Sequence, residues 1–495
     1  RCITYLHNCK SPRIAITALW GLYILKSKCQ RQVCMTKVRK FAEITPNLPF
    51  SEFNFYELYR ETFEKSELGR MKKLLPLREM AEIFGLVRKS MMPKRGRKSY
   101  FTPEGKVALM FLKMKTQMSF PKLMEELNGN IHYQMFCDIL IDPTHPLTNY
   151  KLLDDIAAEL AGSLKIQELQ NLLSAAWKPY MKNLDTMFTD ATCYESEMRY
   201  PTDQKLLWEC VEKGYELMCA ASQKLGIHRP RTKYLDVEKA NLTYRKQRKH
   251  TKSQTRKITR RLLDLLGKIL KETRKMEREH EGVKLFTDRE RQTFDIITKV
   301  YRQQHNHFRS GDSRESIPDR IVSVNKPYVR PIVRGKEVKS VEFGAKCDNI
   351  LVDGISFIEK LSFNAFNEGT RLTHCIKMHK RLFGVDVKKI GGDASYAGNA
   401  NREMCTSNGI QTSFVQKGKR AKEKREKDFV RQELARVRAT AMEGSFGTQK
   451  EHYSLRRVKA RKKETEILYI FFGIHTANVV LLAERLMEQQ LAEAA

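Results

Sequence analysis

Apolar residues recur at helical spacing from residue 41 to about 180, against a mixed-charge background. The run 106–114 is followed by Phe120, Leu123, Met124 and Leu127, spaced i, i+3, i+4 and i+7 as on one buried helix face. Thr102 before Pro103 marks a helix start. Residues 117–121 interrupt the pattern, which predicts two short amphipathic helices joined as in a helix-turn-helix. At Asp185 the period changes. Residues 186–193 form a short β-branched and apolar run, read as a strand with Asp190 in its second half. Tyr200-Pro201-Thr202-Asp203 supplies a turn and the next helix start. Residues 204 to about 315 are helical again, and Ile258, Leu262, Leu265, Leu266 and Ile269 make a stripe on one face.

Strand signals return at 320–324 and continue through 331–336, 341–346 and 350–352. Gly and Asp turns, including Asp353-Gly354 before 355–363, predict an antiparallel meander of short strands. A helix over 367–383 leads into 388–394, a strand ending in Asp393, and 410–415 reads as a further strand. A long charged helix, about 422–442, brings in Glu443. Two apolar stretches invite a membrane test. Residues 14–25 are too short to span a bilayer and show no cleavage site, and residues 1–34 read as a possible upstream extension of a protein starting at Met35. Residues 467–483 carry His475 and Asn478 and read as a buried strand running into a helix. No membrane partner is expected.

Charge sharpens this picture. Lys and Arg number 91 against 58 Asp and Glu, a net charge of +33. Such self-repulsion is relieved by a polyanion, so nucleic acid is the expected partner. Hydrophobic residues make up 41% of the 495, enough for real cores in two or three domains, which excludes wholesale disorder. The excess is local as well: residues 229–280 hold 18 Lys and Arg against 6 Asp and Glu, which favours phosphate contact by the helical segment. A basic run, Lys94, Arg95, Arg97 and Lys98, lies upstream of the helix-turn-helix pattern. That region reads equally as a DNA-binding helical domain or as an ordinary bundle with a basic loop. The eleven cysteines contain no C-x-x-C, so neither a secreted disulfide framework nor a zinc site is expected.

Asp190, Asp393 and Glu443 stand on separate elements that could converge at a sheet edge. Three carboxylates so placed can hold two Mg²⁺ ions, the arrangement for in-line phosphodiester displacement. With 58 acidic residues to choose from, the triad alone is weak evidence. Its surroundings strengthen it. Phe188-Thr189-Asp190-Ala191-Thr192 with Tyr200-Pro201-Thr202-Asp203 forms one block, and Arg334-Gly335-Lys336, 341–346, Asp353-Gly354 and Phe366-Asn367-Glu368 a second. Gly392-Asp393-Ala394-Ser395-Tyr396 is the third, and Glu443-Gly444-Ser445-Phe446-Gly447 with Lys450 the fourth. Four ordered blocks across residues 185–482 resemble the bacterial insertion-sequence transposases of the DDE class.

The resemblance implies an α/β fold: a ribonuclease H-like mixed sheet flanked by helices, with an all-α N-terminal region and an α-helical insertion. The division expected is a helical DNA-binding domain at 35–180, a catalytic core at 181–203 and 316–485, and the basic insertion at 204–315. The resemblance makes Asp190, Asp393 and Glu443 the catalytic, metal-binding residues, with Mn²⁺ able to replace Mg²⁺, and places Lys450 on a DNA-end phosphate. Some relatives carry an arginine four residues before the glutamate; Ala439 stands there, and Arg436 and Arg438 are nearby substitutes. The implied activity is cleavage at the transposon ends followed by strand transfer into target DNA. Implied partners are double-stranded DNA, both terminal inverted repeats and target, and a second copy of the chain on paired ends. The implied location is the bacterial cytoplasm, at the nucleoid. Competing readings are a site-specific nuclease on the same fold and a catalytically silent, transposase-derived DNA-binding protein; an RNA-binding protein is disfavoured because no RNP-type aromatic strand occurs.

Overall fold

Helix starts in the first half follow the local chemistry. In the computed structural model, which describes residues 55–87, 99–311, 317–333, 341–415 and 424–494, the first described elements are three short helices. These are α1 (Phe55–Lys65), α2 (Glu67–Leu74) and α3 (Leu77–Ile83). The Thr102 hydroxyl accepts from the Gly105 amide at 2.8 Å and starts α4 (Pro103–Thr116), with Pro103 supplying no amide that would need a partner. Gln117 ends it in the left-handed region (φ 55°), and α5 (Phe120–Gly129) departs at the predicted break. Helices α6 (Ile131–Phe136), α7 (Lys151–Gly162) and α8 (Ile166–Trp177) complete this region.

The sheet is built on β1 (Thr186–Ser196). A helical excursion follows: α9 (Asp203–Lys224), capped by Thr202, then α10 (Tyr234–Lys246), α11 (Lys252–Glu279) and α12 (Asp288–Ser310). The predicted stripe on α11 is buried at all five positions, and it anchors a hydrophobic cluster separate from that of the sheet. The chain then returns through β2 (Pro331–Val333), β3 (Val341–Val352), β4 (Ile355–Ser362) and α13 (Leu372–Phe383). Next come β5 (Lys389–Gly391), α14 (Asn399–Ser407), β6 (Gln411–Thr412), α15 (Lys424–His452), β7 (Arg457–Val458) and α16 (Lys463–Ala494). The sheet order is β2-β3-β1-β5-β6, with β4 also on β3 and β7 on β1. β3 runs antiparallel to β1, while β5 and β7 run parallel to it, giving an α/β fold with a mixed sheet of the ribonuclease H-like kind.

Several local expectations need correction. Residues 320–324 join no ladder: Ile321 and Val324 pack into the helical cluster, Val322 enters the main core, and the Ile321 amide is taken by Gln303 Oε1 at 3.2 Å. The separate runs 341–346 and 350–352 are one strand, against which β4 bulges by one residue at Glu359. The Asp353-Gly354 turn stands as read, both residues at positive φ (49° and 81°), as a two-residue hairpin requires. The strands predicted at 388–394 and 410–415 shrink to β5 and β6, so Asp393 lies just past a strand end. Residues 467–483 contain no strand. They belong wholly to α16, whose aromatic and β-branched start mimics strand composition but whose apolar run is too long for one. Lys463–Glu493 is apolar and long enough to cross a membrane, yet 83% of its most apolar window is buried inside the protein. Residues 1–34, the basic run Lys94, Arg95, Arg97 and Lys98, and Arg334-Gly335-Lys336 lie outside the described residues.

Helix α16 is the axle of the main core. It packs against α2, α4, α7 and β4, so the N-terminal helices and the sheet share one continuous hydrophobic cluster. The Trp177 indole donates to Leu74 O at 2.9 Å within it. The Asn478 amide brackets Ser356, accepting from its N–H at 2.9 Å and donating to its carbonyl at 2.7 Å, and thereby extends the ladder of β4 with a side chain. Beside it, His475 is fully buried against Phe471 and Trp177, its Nε2 has no partner among the described residues, and burial depresses its pKa to about 3. A histidine that cannot protonate when folded favours the unfolded chain once pH drops below about 6.5, and the loss grows until pH approaches the folded value. Stability is therefore expected to fall below pH 6.5, with at most about 1.4 kcal/mol per pH unit from this group. Urea unfolding at pH 7 and pH 5 should show that His475→Phe removes this part of the slope.

Candidate metal centre and nucleic-acid interface

Strand alternation sorts β1 into two faces. Phe188, Asp190, Thr192 and Tyr194 face α15. Phe188 packs with Leu434, Met442 and Phe446, Asp190 meets Arg438, Thr192 meets Lys450 and Tyr194 bonds to Gln449. Thr189, on the opposite face, meets Cys375 of α13. Asp190 sits mid-strand, paired with Asn349 of β3, and its Oδ1 accepts from the Ala191 amide at 2.8 Å.

Parallel pairing of β1 with β5 sets Phe188 beside Gly391, so the turn just beyond β5 lies next to Asp190. Asp393 caps the 3-10 turn Ala394–Tyr396, accepting from the Ser395 amide at 2.7 Å. A second 3-10 turn, Glu368–Arg371, is capped by Asn367 and lies against the first. Gly369 makes that approach possible, because a Cβ there would stand 2.3 Å from the Ser395 carbonyl oxygen. The Ser395 hydroxyl donates to Asp393 at 2.5 Å and reaches Glu368 at 3.3 Å. The result is a group of three acids, Asp190, Glu368 and Asp393, with ligand oxygens all within 4.8 Å of one another.

Electrostatics in this group is unfavourable without a cation. Burial pushes the Asp190 carboxyl up to about 6 despite Arg438, and the charges of Asp393 and Glu368 add to the rise. Two basic side chains supply partial compensation: Arg438 Nη1 stands 2.9 Å from Asp190, and Lys346 Nζ stands 2.6 Å from Glu368. An all-oxygen donor set of converging carboxylates suits a hard divalent cation better than zinc or copper.

Behind these acids is a buried hydrogen-bonded layer. The Tyr396 hydroxyl donates to Asp348 Oδ1 at 2.7 Å, and Thr189 approaches the same oxygen at 3.4 Å. Arg371 grips Glu359 with two nitrogens. Burial drives the Asp348 carboxyl up to about 7, opposed by the Tyr396 bond. Asp348, Glu359 and Cys375 also converge, but Tyr396 and Arg371 already engage the two acids, so this group ties the Asp393 turn to β3.

Placement of the remaining predicted residues is mixed. Glu443 is exposed in the interior of α15, not at its end, and the converging acids among the described residues do not include it. It stands seven residues before Lys450, two helical turns along one face. Lys450 Nζ donates to Thr192 Oγ1 at 2.8 Å, which turns that face toward β1 beside Asp190. Arg436 is exposed on the same helix. Glu368 has no assigned role in the sequence, where it stands in the second block, Phe366-Asn367-Glu368, and in the capping pattern Asn367-Glu368-Gly369.

The fold is a ribonuclease H-like α/β sheet with acids gathered beside the middle of its central strand β1 and the end of β5. Residues 391–479, which include Asp393, Glu443 and Lys450, match the family described as transposase DDE domain, and residues 56–154 match a second described as transposase domain. No curated protein and no solved structure matches the chain. Both matching families are of transposases, and the match over 391–479 supports a DDE transposase.

Proposed function

We propose that this transposase cuts DNA at the ends of its element and joins the freed 3′-hydroxyl to target DNA, with Asp190, Asp393 and Glu443 as its catalytic carboxylates and Mg²⁺ as its metal. The observation that carries this reading is the convergence of Asp190 and Asp393, from the first and third sequence blocks, beside the paired strands β1 and β5. When bound, two such ions supply an activated oxygen nucleophile and neutralise charge on the departing oxygen; Mn²⁺ fits the same donors. Asp190 and Asp393 would hold the ions, Asp393 kept in place by Ser395 and Asp190 by the rigid strand. Glu443, two helical turns before Lys450 on one face of α15, would complete the ligand set. Arg438 balances Asp190 in the absence of metal, and once exchanged it can take a DNA phosphate together with Arg436 and Lys450.

The N-terminal helices, within 35–180 and with the basic run 94–98, would read DNA, and the basic insertion 204–315 would hold the backbone. The core would be 181–203 with 316–485. Two ends must be cut together, which calls for a homodimer on paired terminal inverted repeats, acting on DNA in the cytoplasm. A test is to supply a pre-cleaved element end bearing a free 3′-hydroxyl, a supercoiled target plasmid and Mg²⁺. Joined product is the expected result. Nicking of the plasmid without joining would favour a nuclease on the same fold.

A further inference from the structure

A cavity of about 450 Å³ opens between the helix break and the end of α15. One wall is Lys113 with residues 117–120, where α5 begins, and the other is Lys450 with the segment that leads through β7. Arg456, Arg457 and Lys459 of that segment line it, so five cations face two carboxylates, Asp154 and Glu451. The carboxylates are partly spent. Glu451 pairs with Arg456 at 3.3 Å, and Asp154 offsets part of the charge on Lys113.

These cations are held by backbone. Arg456 N donates to Lys450 O at 3.0 Å as α15 ends, Ser454 adopts positive φ (60°), and Arg457 pairs in register with Glu195 of β1. Lys113 is anchored to the break itself, its ammonium donating to the Met118 carbonyl. Burial, and next the charge of Lys459, push Lys113 down to about 8, and Asp154 opposes this only in part. The first residues of α5 line the same space, and Ser119 makes no side-chain cap bond there, leaving the positive helix end open to an anion. Lys450 connects cavity and acids: it binds Thr192, two residues from Asp190 on one strand face, a step of about 7 Å.

We infer that this cavity is a binding site for the sugar–phosphate backbone of DNA, holding the strand next to the phosphodiester that lies on Asp190 and Asp393. The inference rests on the proposed function and adds to it a place where the N-terminal helices and the catalytic helix grip one strand together. Arg457 and Lys459 are exposed, and the ion pair of Arg457 with Glu197 at 3.6 Å is a surface contact of small energetic weight, so neutralising both leaves the fold intact.

The test is fluorescence anisotropy with a 30-base-pair duplex at several salt concentrations, comparing the full chain with the double variant Arg457→Gln, Lys459→Gln, alongside Mn²⁺ binding by electron paramagnetic resonance. The expected result is affinity lowered by roughly tenfold at low salt and a log–log salt slope shallower by about 1 to 2, with Mn²⁺ binding unchanged. Unchanged affinity and slope with normal Mn²⁺ binding would overturn the cavity as a DNA site and leave the metal centre standing. If the wild-type chain binds DNA but no Mn²⁺, the metal reading fails while the salt slopes still decide the cavity.

Discussion

Asp393→Asn and Asp190→Asn are each expected to lower metal-dependent DNA cleavage by on the order of 10³-fold or more, while duplex affinity stays within about twofold. The substitution removes charge and little else. The amide introduced by Asp393→Asn keeps an oxygen for the Ser395 amide and hydroxyl, so the 3-10 turn that positions it survives. An amide at 190 would keep one oxygen for the Ala191 amide and lose the oxygen that accepts from Arg438, a loss offset by relieving the cost of an ionised carboxylate buried next to two other acids. The Asp393→Asn variant should therefore be as stable as the parent protein, and stability measured beside activity on both variants separates loss of chemistry from loss of fold. DNA affinity is spared because it comes from the basic surface, whose charge these changes do not reduce. Single-turnover cleavage of an end-containing duplex, with anisotropy on the same preparation, gives both numbers.

Glu466→Ala is expected to cost about 3–5 kcal/mol of folding stability, measured by urea denaturation. Glu466 has no exposed side-chain surface and Lys326 little, and their charged atoms stand 3.0 Å apart. The Tyr328 hydroxyl donates to the same carboxylate at 2.8 Å, and Ser196 donates to its other oxygen. Removing the acid strands a buried ammonium and two hydroxyls. Its location explains why the structure keeps it: Ser196 ends β1, residues 326–328 bring the chain back from the helical insertion, and Glu466 opens α16. One buried ion pair thus closes the insertion onto the core. The double variant Lys326→Met, Glu466→Gln should recover much of the loss, because no buried charge is left alone and the glutamine oxygen still serves a hydroxyl.

The sequence is most legible where local chemistry decides the backbone. Thr102-Pro103 starts a helix, Asp353-Gly354 turns a hairpin, and the spacing of Ile258 through Ile269 makes a helix stripe, each from short-range physics alone. It misleads where composition has to stand for context. Residues 320–324 look like a strand because two cores claim their valines and isoleucine, and residues 467–483 look like one because α16 is buried on all sides. Asp190 and Asp393 are visible as acids on or near strands, and the parallel β1–β5 register brings them together. Glu368 is not, for its arrival depends on two 3-10 turns packing across Gly369, a contact no periodicity encodes. Arg438 reads as a phosphate contact from its nearness to Glu443, whereas in the folded chain it pairs with Asp190.

The most direct test of the metal centre is a crystal of the full chain soaked in Mn²⁺ and measured at the manganese absorption edge. Anomalous density is expected between Asp190 and Asp393, within direct ligand distance of both, and is expected to be lost in the Asp393→Asn variant. Manganese bound elsewhere, with none between these two carboxylates, would contradict it.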